Sequence, residues 1–190
     1  MAKKYEFKPD KPYSGFWARL ILTRTQWRAV LKWSLYALTL VVLSVLQDVL
    51  LCRVRIFGAT TELVPCGIFL ICLLEGMEKG SVFSLIAALL YLFSGSAAGV
   101  YSVVFITALG VGITWLRQSY FQAGFGAAMV CSGIGMFVYE LAVFAIGAFL
   151  GLTTVSRIGS FLLTALLTML AAPPVYLLLR TIGGGNVWKE

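Results

Sequence analysis

GSVFSLIAALLYLFSGSAAGVYSVVFITALGVGITWL, residues 80–116, carries no charged side chain in 37 consecutive positions. A helix needs about 20 apolar residues to cross the roughly 30 Å hydrocarbon core of a bilayer. The run is therefore too long for one span and long enough for two. The small residues Ser94-Gly95-Ser96-Ala97-Ala98-Gly99, near its middle, supply the turn between them. A helical hairpin of this kind belongs in lipid, and the flanking stretches read the same way.

The composition makes water the wrong solvent for most of the chain. Of 190 residues, 60% are hydrophobic and 12% charged, whereas roughly a quarter are charged in a soluble domain. A soluble protein with this surplus would expose apolar patches of a size that soluble monomers rarely tolerate. Hydrocarbon accepts the same surface without penalty, provided that backbone polar groups are paired within helices.

Working outward from residues 80–116, the charged and turn residues cut the chain into about six spans. The first covers residues 27–51, bounded by Arg24 and Arg28 on one side and by Arg53 and Arg55 on the other. The second covers residues 56–74, contains Pro65, and is closed by Glu75, Glu78 and Lys79, which read as a solvated turn. Spans three and four come from the charge-free run, span three being short at about 16 residues. It starts either at Gly80 or within the preceding acidic loop. Arg117, Gln118 and Gln122 close span four; residues 125–150 form span five; residues 160–182 form span six. Pro173 and Pro174 lie inside the last span and are expected to kink or break it. The expected organisation is a basic cytoplasmic or interfacial segment over residues 1–26, a six-span domain over 27–182 and a short cytoplasmic tail over 183–190.

The net charge of +7 is concentrated at one end: Lys3, Lys4, Lys8, Lys11, Arg19, Arg24, Arg28 and Lys32 precede or edge the first apolar run. No base-reading module accompanies them, so membrane lipid and not nucleic acid is the expected partner. Six spans with both ends on one side put twelve lysines and arginines there and three (Arg53, Arg55 and Arg157) on the other. Because cytoplasmic loops carry the excess, both termini are expected in the cytoplasm. Residues 14–28 mix aromatic, aliphatic and arginine side chains, which suits either a helix lying in the interface or a disordered basic tail. The first apolar run exceeds a signal-peptide core in length, so it is expected to be retained as a span.

Cys52, Cys66, Cys72 and Cys131 lack CxxC spacing and the chain has no histidine. They read as small apolar packing residues, with no metal or cofactor expected. No nucleophile paired with a base, no two carboxylates at a shared depth and no phosphate-cradling loop is legible, so no enzymatic activity is expected.

Glu140 falls near the middle of span five, where an ionised side chain costs roughly 2.5–3.5 kcal/mol. It reads as a substrate or proton site, a contact with a partner's helix, or a protonated carboxyl bonded to a neighbouring helix. Gln47 and Asp48 lie near the end of span one. Asp48 is explained by pairing with Arg53 or Arg55, and the Gln47 amide can bridge helices for about 0.6–2 kcal/mol. Gly95, Gly99, Pro65, Pro173 and Pro174 are the candidate packing and kink positions.

Leu46-Gln47-Asp48, Glu62-Leu63-Val64-Pro65, Leu74-Glu75-Gly76, Lys79-Gly80, the Ser94–Gly99 turn and Pro173-Pro174-Val175-Tyr176 together resemble the rod shape-determining protein MreD family over residues 40–182. One departure is Tyr91, where many members of that family carry an acidic residue. The resemblance implies an all-α bundle of about six transmembrane helices, similar to the substrate-binding subunits of energy-coupling-factor transporters. It also implies a non-enzymatic scaffold of the cell-elongation complex, joining MreC-like, MreB-like and RodA/penicillin-binding-protein partners in lateral peptidoglycan synthesis. The alternative is a vitamin-binding membrane subunit of an energy-coupling-factor transporter. Against it, the small-residue docking pattern of such subunits is reduced here to Ala29 and Ala37, eight apart.

Overall fold

The computed structural model describes residues 24–49, 51–53, 58–120 and 124–183. The basic N-terminal segment, apart from residues 24–26, and the tail beyond Gly183 lie outside the described residues, as does Arg55. Six α-helices account for nearly all of the described chain: α1 (Arg24–Val49), α2 (Leu63–Glu75), α3 (Met77–Phe93), α4 (Tyr101–Tyr120), α5 (Phe125–Phe149) and α6 (Ile158–Ile182). Three segments are long and apolar enough to cross a membrane, namely Trp27–Val49, Phe125–Phe149 and Val155–Ile182. The polarity is that of a protein solvated by hydrocarbon. Leu38, Val41, Val42, Val45, Leu166 and Leu170 are each more than half exposed, while Gln47, Ser84, Ser102, Thr114, Glu140 and Thr168 are buried.

The short helix α2 is the centre of the bundle. It packs against each of the other five helices, which close a ring around it in the order α1, α3, α4, α5, α6 and back to α1. Twelve of its thirteen residues are buried, Leu63 to Leu74. A helix apolar on every side is one surrounded by protein, and Ile68, Phe69, Leu70 and Ile71 are each fully covered. At 1.5 Å per residue α2 is only about 20 Å long, against about 37 Å for α5 or α6. It therefore fills only part of the height of its neighbours.

The remaining height is spanned by extended chain. Gly58 lies beside Ser160 near the start of α6, and the Glu62 amide donates to Thr168 Oγ1 at 3.0 Å. Four residues of extended backbone cover about 13 Å, and the eight helical residues from Ser160 to Thr168 cover about 12 Å. Residues 58–62 thus descend alongside α6 before α2 begins. The second span expected over residues 56–74 is accordingly discontinuous, an extended stretch followed by a buried half-length helix.

At its other end α2 turns into α3 through Gly76 alone, at φ +83°, a conformation that costs a side chain about 1–2 kcal/mol. The two helices then run in near contact. A Cβ on Gly80 would lie 2.9 Å from Cys72 Cα and 3.1 Å from its carbonyl oxygen. Gly80 is thus a packing glycine, whereas Gly95 (φ +78°) and Gly99 (φ +158°) belong to the α3–α4 turn. Nothing lies within 4 Å of a Cβ on Gly95, so that residue makes a turn and no helix contact. Pro65 occupies the first turn of α2, where its missing N–H has no intrahelical role and no kink follows. α6 runs through Pro173 and Pro174 without a break. The third helix begins at Met77, inside the acidic loop.

Substitution should separate the packing glycine from an exposed one. Gly80→Ala is expected to destabilise the protein by about 1–3 kcal/mol, since backbone must move. Gly126→Ala, on an open stretch of α5, should be neutral or stabilising by up to about 1 kcal/mol. Thermal unfolding in detergent reads both.

Candidate functional site

Beginning a helix inside a bundle strands its first amide groups away from water. Four N–H positions are at issue, Glu62 to Pro65, and three are accounted for. The Glu62 N–H donates to Thr168 Oγ1 of α6. The Val64 N–H donates to Gln47 Oε1 of α1 at 3.1 Å. Proline at position 65 has no N–H to satisfy. The Glu62 side chain does not cap the helix, so its carboxyl is left for other contacts.

The opposite end of α2 is closed in the same fashion. The Arg117 guanidinium of α4 donates to the Leu73 carbonyl, a favourable place for a cation because the last carbonyls carry the negative end of the helix dipole. Glu75, expected on a solvated turn, is instead drawn inward with only 6% of its side chain exposed. It pairs with Lys32 at 2.5 Å and accepts a 2.7 Å hydrogen bond from the Tyr36 hydroxyl. Its neighbours Glu78 and Lys79 are exposed, as expected for a turn.

Around the beginning of α2 the ring helices contribute polar side chains at one level. Gln47 also donates through Nε2 to Tyr91 Oη at 3.4 Å, and Tyr91 donates to the Ser96 carbonyl at 3.2 Å. Ser96 Oγ donates to Asp48 Oδ2 at 2.6 Å, tying the end of α1 to the α3–α4 turn. Tyr139 and Glu140 of α5 face inward, 0% and 1% exposed, and Ser102 of α4 is 0% exposed. Glu62 and Glu140 interact electrostatically, and Tyr91 and Tyr139 feel both carboxyls.

The sequence candidates therefore divide. Gln47 and Glu140 come together in the interior, so neither presents a surface to a partner's helix, while Asp48 alone of the three is exposed. Two carboxylates do share a depth, contrary to the expectation from sequence. Helical spacing from residue 56 hides this, whereas extended backbone over residues 58–62 carries Glu62 down to the level of Glu140. Tyr91, Tyr139, Ser102 and Thr168 complete the cluster and carry no distinguishing signal in the sequence. Glu62, inside the quoted ELVP stretch, could have been found as an acid next to a proline-started apolar helix. Cys66, Cys72 and Cys131 are buried and free, in keeping with a packing role.

Among the described residues, Glu62 Oε2, Glu140 Oε1, Tyr139 Oη and Ser102 Oγ are buried without a well-formed hydrogen bond, although Tyr139 and Ser102 stand close enough to interact with each other. A buried polar group left unpaired costs about 1–3 kcal/mol. Four such oxygens near one helix end form a buried polar cluster that is not internally balanced.

A second feature lies on the flank of the bundle. α1 is pinned to its neighbours at two levels, by Trp33 stacked at 5.3 Å on Phe83 with the Lys32–Glu75 pair, and by Gln47 and Asp48. Between those levels α1 and α3 part, leaving an apolar groove of about 430 Å³ whose walls include Leu40, Val41, Val45, Ile86 and Leu90. A separate hollow lies on the other side of the Trp33–Phe83 contact, beside Glu78 and Lys79. From Phe83 to Ser94 the groove follows α3 for about 17 Å.

Comparison of the chain with known protein families, curated proteins and solved structures finds no match.

Because its cap comes from another helix, α2 should be sensitive to a residue 17 positions away. Gln47→Leu strands the Val64 N–H and is expected to lower stability by about 1–3 kcal/mol, whereas Val45→Leu, at an exposed position of the same helix, should change it by no more than about 0.5 kcal/mol. Melting temperatures in detergent that are equal for the two variants would contradict the cap.

Proposed function

We propose that the chain is a membrane scaffold, acting through helix-to-helix contact in the inner membrane of a rod-shaped bacterium with both termini in the cytoplasm. In this reading all six helices lie within the bilayer, the ring helices facing lipid and α2 enclosed. The observation that carries it is the flank groove between α1 and α3. Its length, about 17 Å, accommodates about three turns of a helix laid along α3. Its floor includes Ala37, Ser44 and Ala87, small residues of the kind that admit a neighbouring backbone in lipid.

The resemblance to MreD suggests what the occupant is. A single transmembrane helix of an MreC-like partner fits the groove, and the complex would link MreB-like filaments to RodA and its penicillin-binding partner during lateral wall synthesis. Tyr91, where many of those proteins have an acid, stands beside Glu62 and Glu140 in this chain, so the polar character of that level is retained by other residues. The basic residues preceding Trp33 would hold the cytoplasmic side against anionic lipid, each worth about 1 kcal/mol near the surface.

The polar pocket at the start of α2 favours a second reading, a substrate-binding subunit of an energy-coupling-factor vitamin transporter. Transporters use interrupted helices of this kind, whose half-length termini point at a ligand near the membrane midplane.

The two readings part on a groove-filling substitution. Val41→Trp in the full-length protein, at a groove wall where the side chain is 58% exposed, should leave the bundle folded, release the MreC-like partner from detergent-purified complexes and round the cells. Retained partner and rod shape, or a nutrient requirement in cells of normal shape, would overturn the scaffold reading and favour transport.

A further inference from the structure

Two carboxyl groups share the interior level at which α2 begins. Glu140 is 1% exposed, and the charged group that acts on it is the carboxyl of Glu62. The Lys32–Glu75 ion pair belongs to the opposite end of α2 and cannot neutralise them. Two like charges in a low-dielectric interior repel strongly, so they cannot both remain ionised without a counter-charge. The beginning of α2 supplies a partial one, roughly half an elementary charge from the helix dipole. That leaves a deficit of about one and a half charges, which one cation reduces to about half a charge of either sign. The four oxygens of the cluster fall short of the roughly six or more that a hard divalent ion takes, so a monovalent ion fits better.

The oxygen inventory points the same way. Glu62 Oε2 and Glu140 Oε1 are buried with no hydrogen-bond partner among the described residues, and Tyr139 Oη and Ser102 Oγ have at most each other. Tyr139, Glu140 and Ser102 are each at least 99% buried, on two different helices. All four atoms are oxygens, the ligand type of hard cations, and each can also take part in a proton-sharing hydrogen bond. Among the described residues no three histidine, cysteine or carboxylate side chains come together, which disfavours a transition metal. The titratable groups facing the two carboxyls are Tyr91 of α3 and Tyr139 of α5, with Tyr101 of α4 acting on Tyr139. α1 and α6 contribute the neutral Gln47 and Thr168.

We propose that Glu62 and Glu140 together hold one exchangeable monovalent cation, a proton or a sodium ion, with Tyr139 and Ser102 as additional oxygen partners. The bound cation ties the end of the extended segment 58–62 to α5. The site therefore couples occupancy to the docking of that segment. This inference does not depend on the scaffold reading, since it rests on the interior cluster and not on the groove.

Dicyclohexylcarbodiimide, which reacts with protonated carboxyl groups in apolar surroundings, is the probe. The full-length protein in lipid nanodiscs and sodium-free buffer is labelled, and the modified residues are located by mass spectrometry without any substitution. Modification of Glu140 or Glu62 is expected, in preference to the exposed Glu78 and Asp48. If the cation is a proton, labelling falls roughly tenfold per pH unit above the midpoint and is indifferent to sodium. If it is sodium, labelling at fixed pH and ionic strength falls about tenfold when sodium exceeds its dissociation constant tenfold, with potassium inert. Glu140→Gln should move the midpoint for Glu62 to lower pH in the first case, because the like charge is gone, and abolish its response to sodium in the second. Absence of label from both carboxyls, or labelling that answers to neither pH nor sodium, would overturn the proposal.

Discussion

The bundle depends on how a thirteen-residue helix is ended without water. In an apolar surround every unpaired backbone group costs several kcal/mol, and α2 has both of its ends inside or at the edge of the protein. The solution is to borrow side chains from the ring. α1 supplies Gln47 to the first turn and Lys32 and Tyr36 to Glu75, α6 supplies Thr168, and α4 supplies Arg117 to the Leu73 carbonyl. These contacts fix α2 axially, and the apolar packing of Ile68, Phe69, Leu70 and Ile71 fixes it laterally. The ring could close around an apolar post of any length. The caps set where that post starts, and hence the level at which its polar end meets α5.

How much of this could be read from the sequence follows from the range of the interactions. α1, α5 and α6 are defined by uninterrupted apolar length, a local property, and their bounds lie within three residues of those read from the chain. The Ser94–Gly99 turn is likewise local, set by small residues and by two glycines at positive φ. The second span is different. Nothing near Glu62 marks a helix start other than Pro65, because the caps lie 17 and 106 residues away in the chain. Helical spacing carried through residues 58–62 leaves Glu62 too shallow to meet Glu140. Glu75 was misplaced for a related reason: flanking charges suggest water, but a tyrosine and a lysine from α1 offer it a better partner inside.

Two regions of the molecule thus have unfinished business, and they have opposite character. The flank groove is apolar and open to the surround, suited to another helix. The interior cluster is polar and buried, with two carboxyl groups acting on each other. α1 borders both, since Gln47 caps α2 at the pocket while Leu40, Val41 and Val45 line the groove. A partner seated against α1 would bear on the same helix that holds the start of α2 in place. That shared element is a physical route by which the surface and the interior can communicate, without requiring any motion of the tightly packed α2–α3 hairpin.

The account stands on the claim that the second span changes from extended chain to helix in the interior, with its amides held by α1 and α6. Hydrogen exchange at the Glu62 and Val64 amides, measured residue by residue in lipid nanodiscs, tests this most directly. Protection comparable to that of the central amides of α5 is the predicted result. Exchange as fast as that of an exposed loop would contradict it.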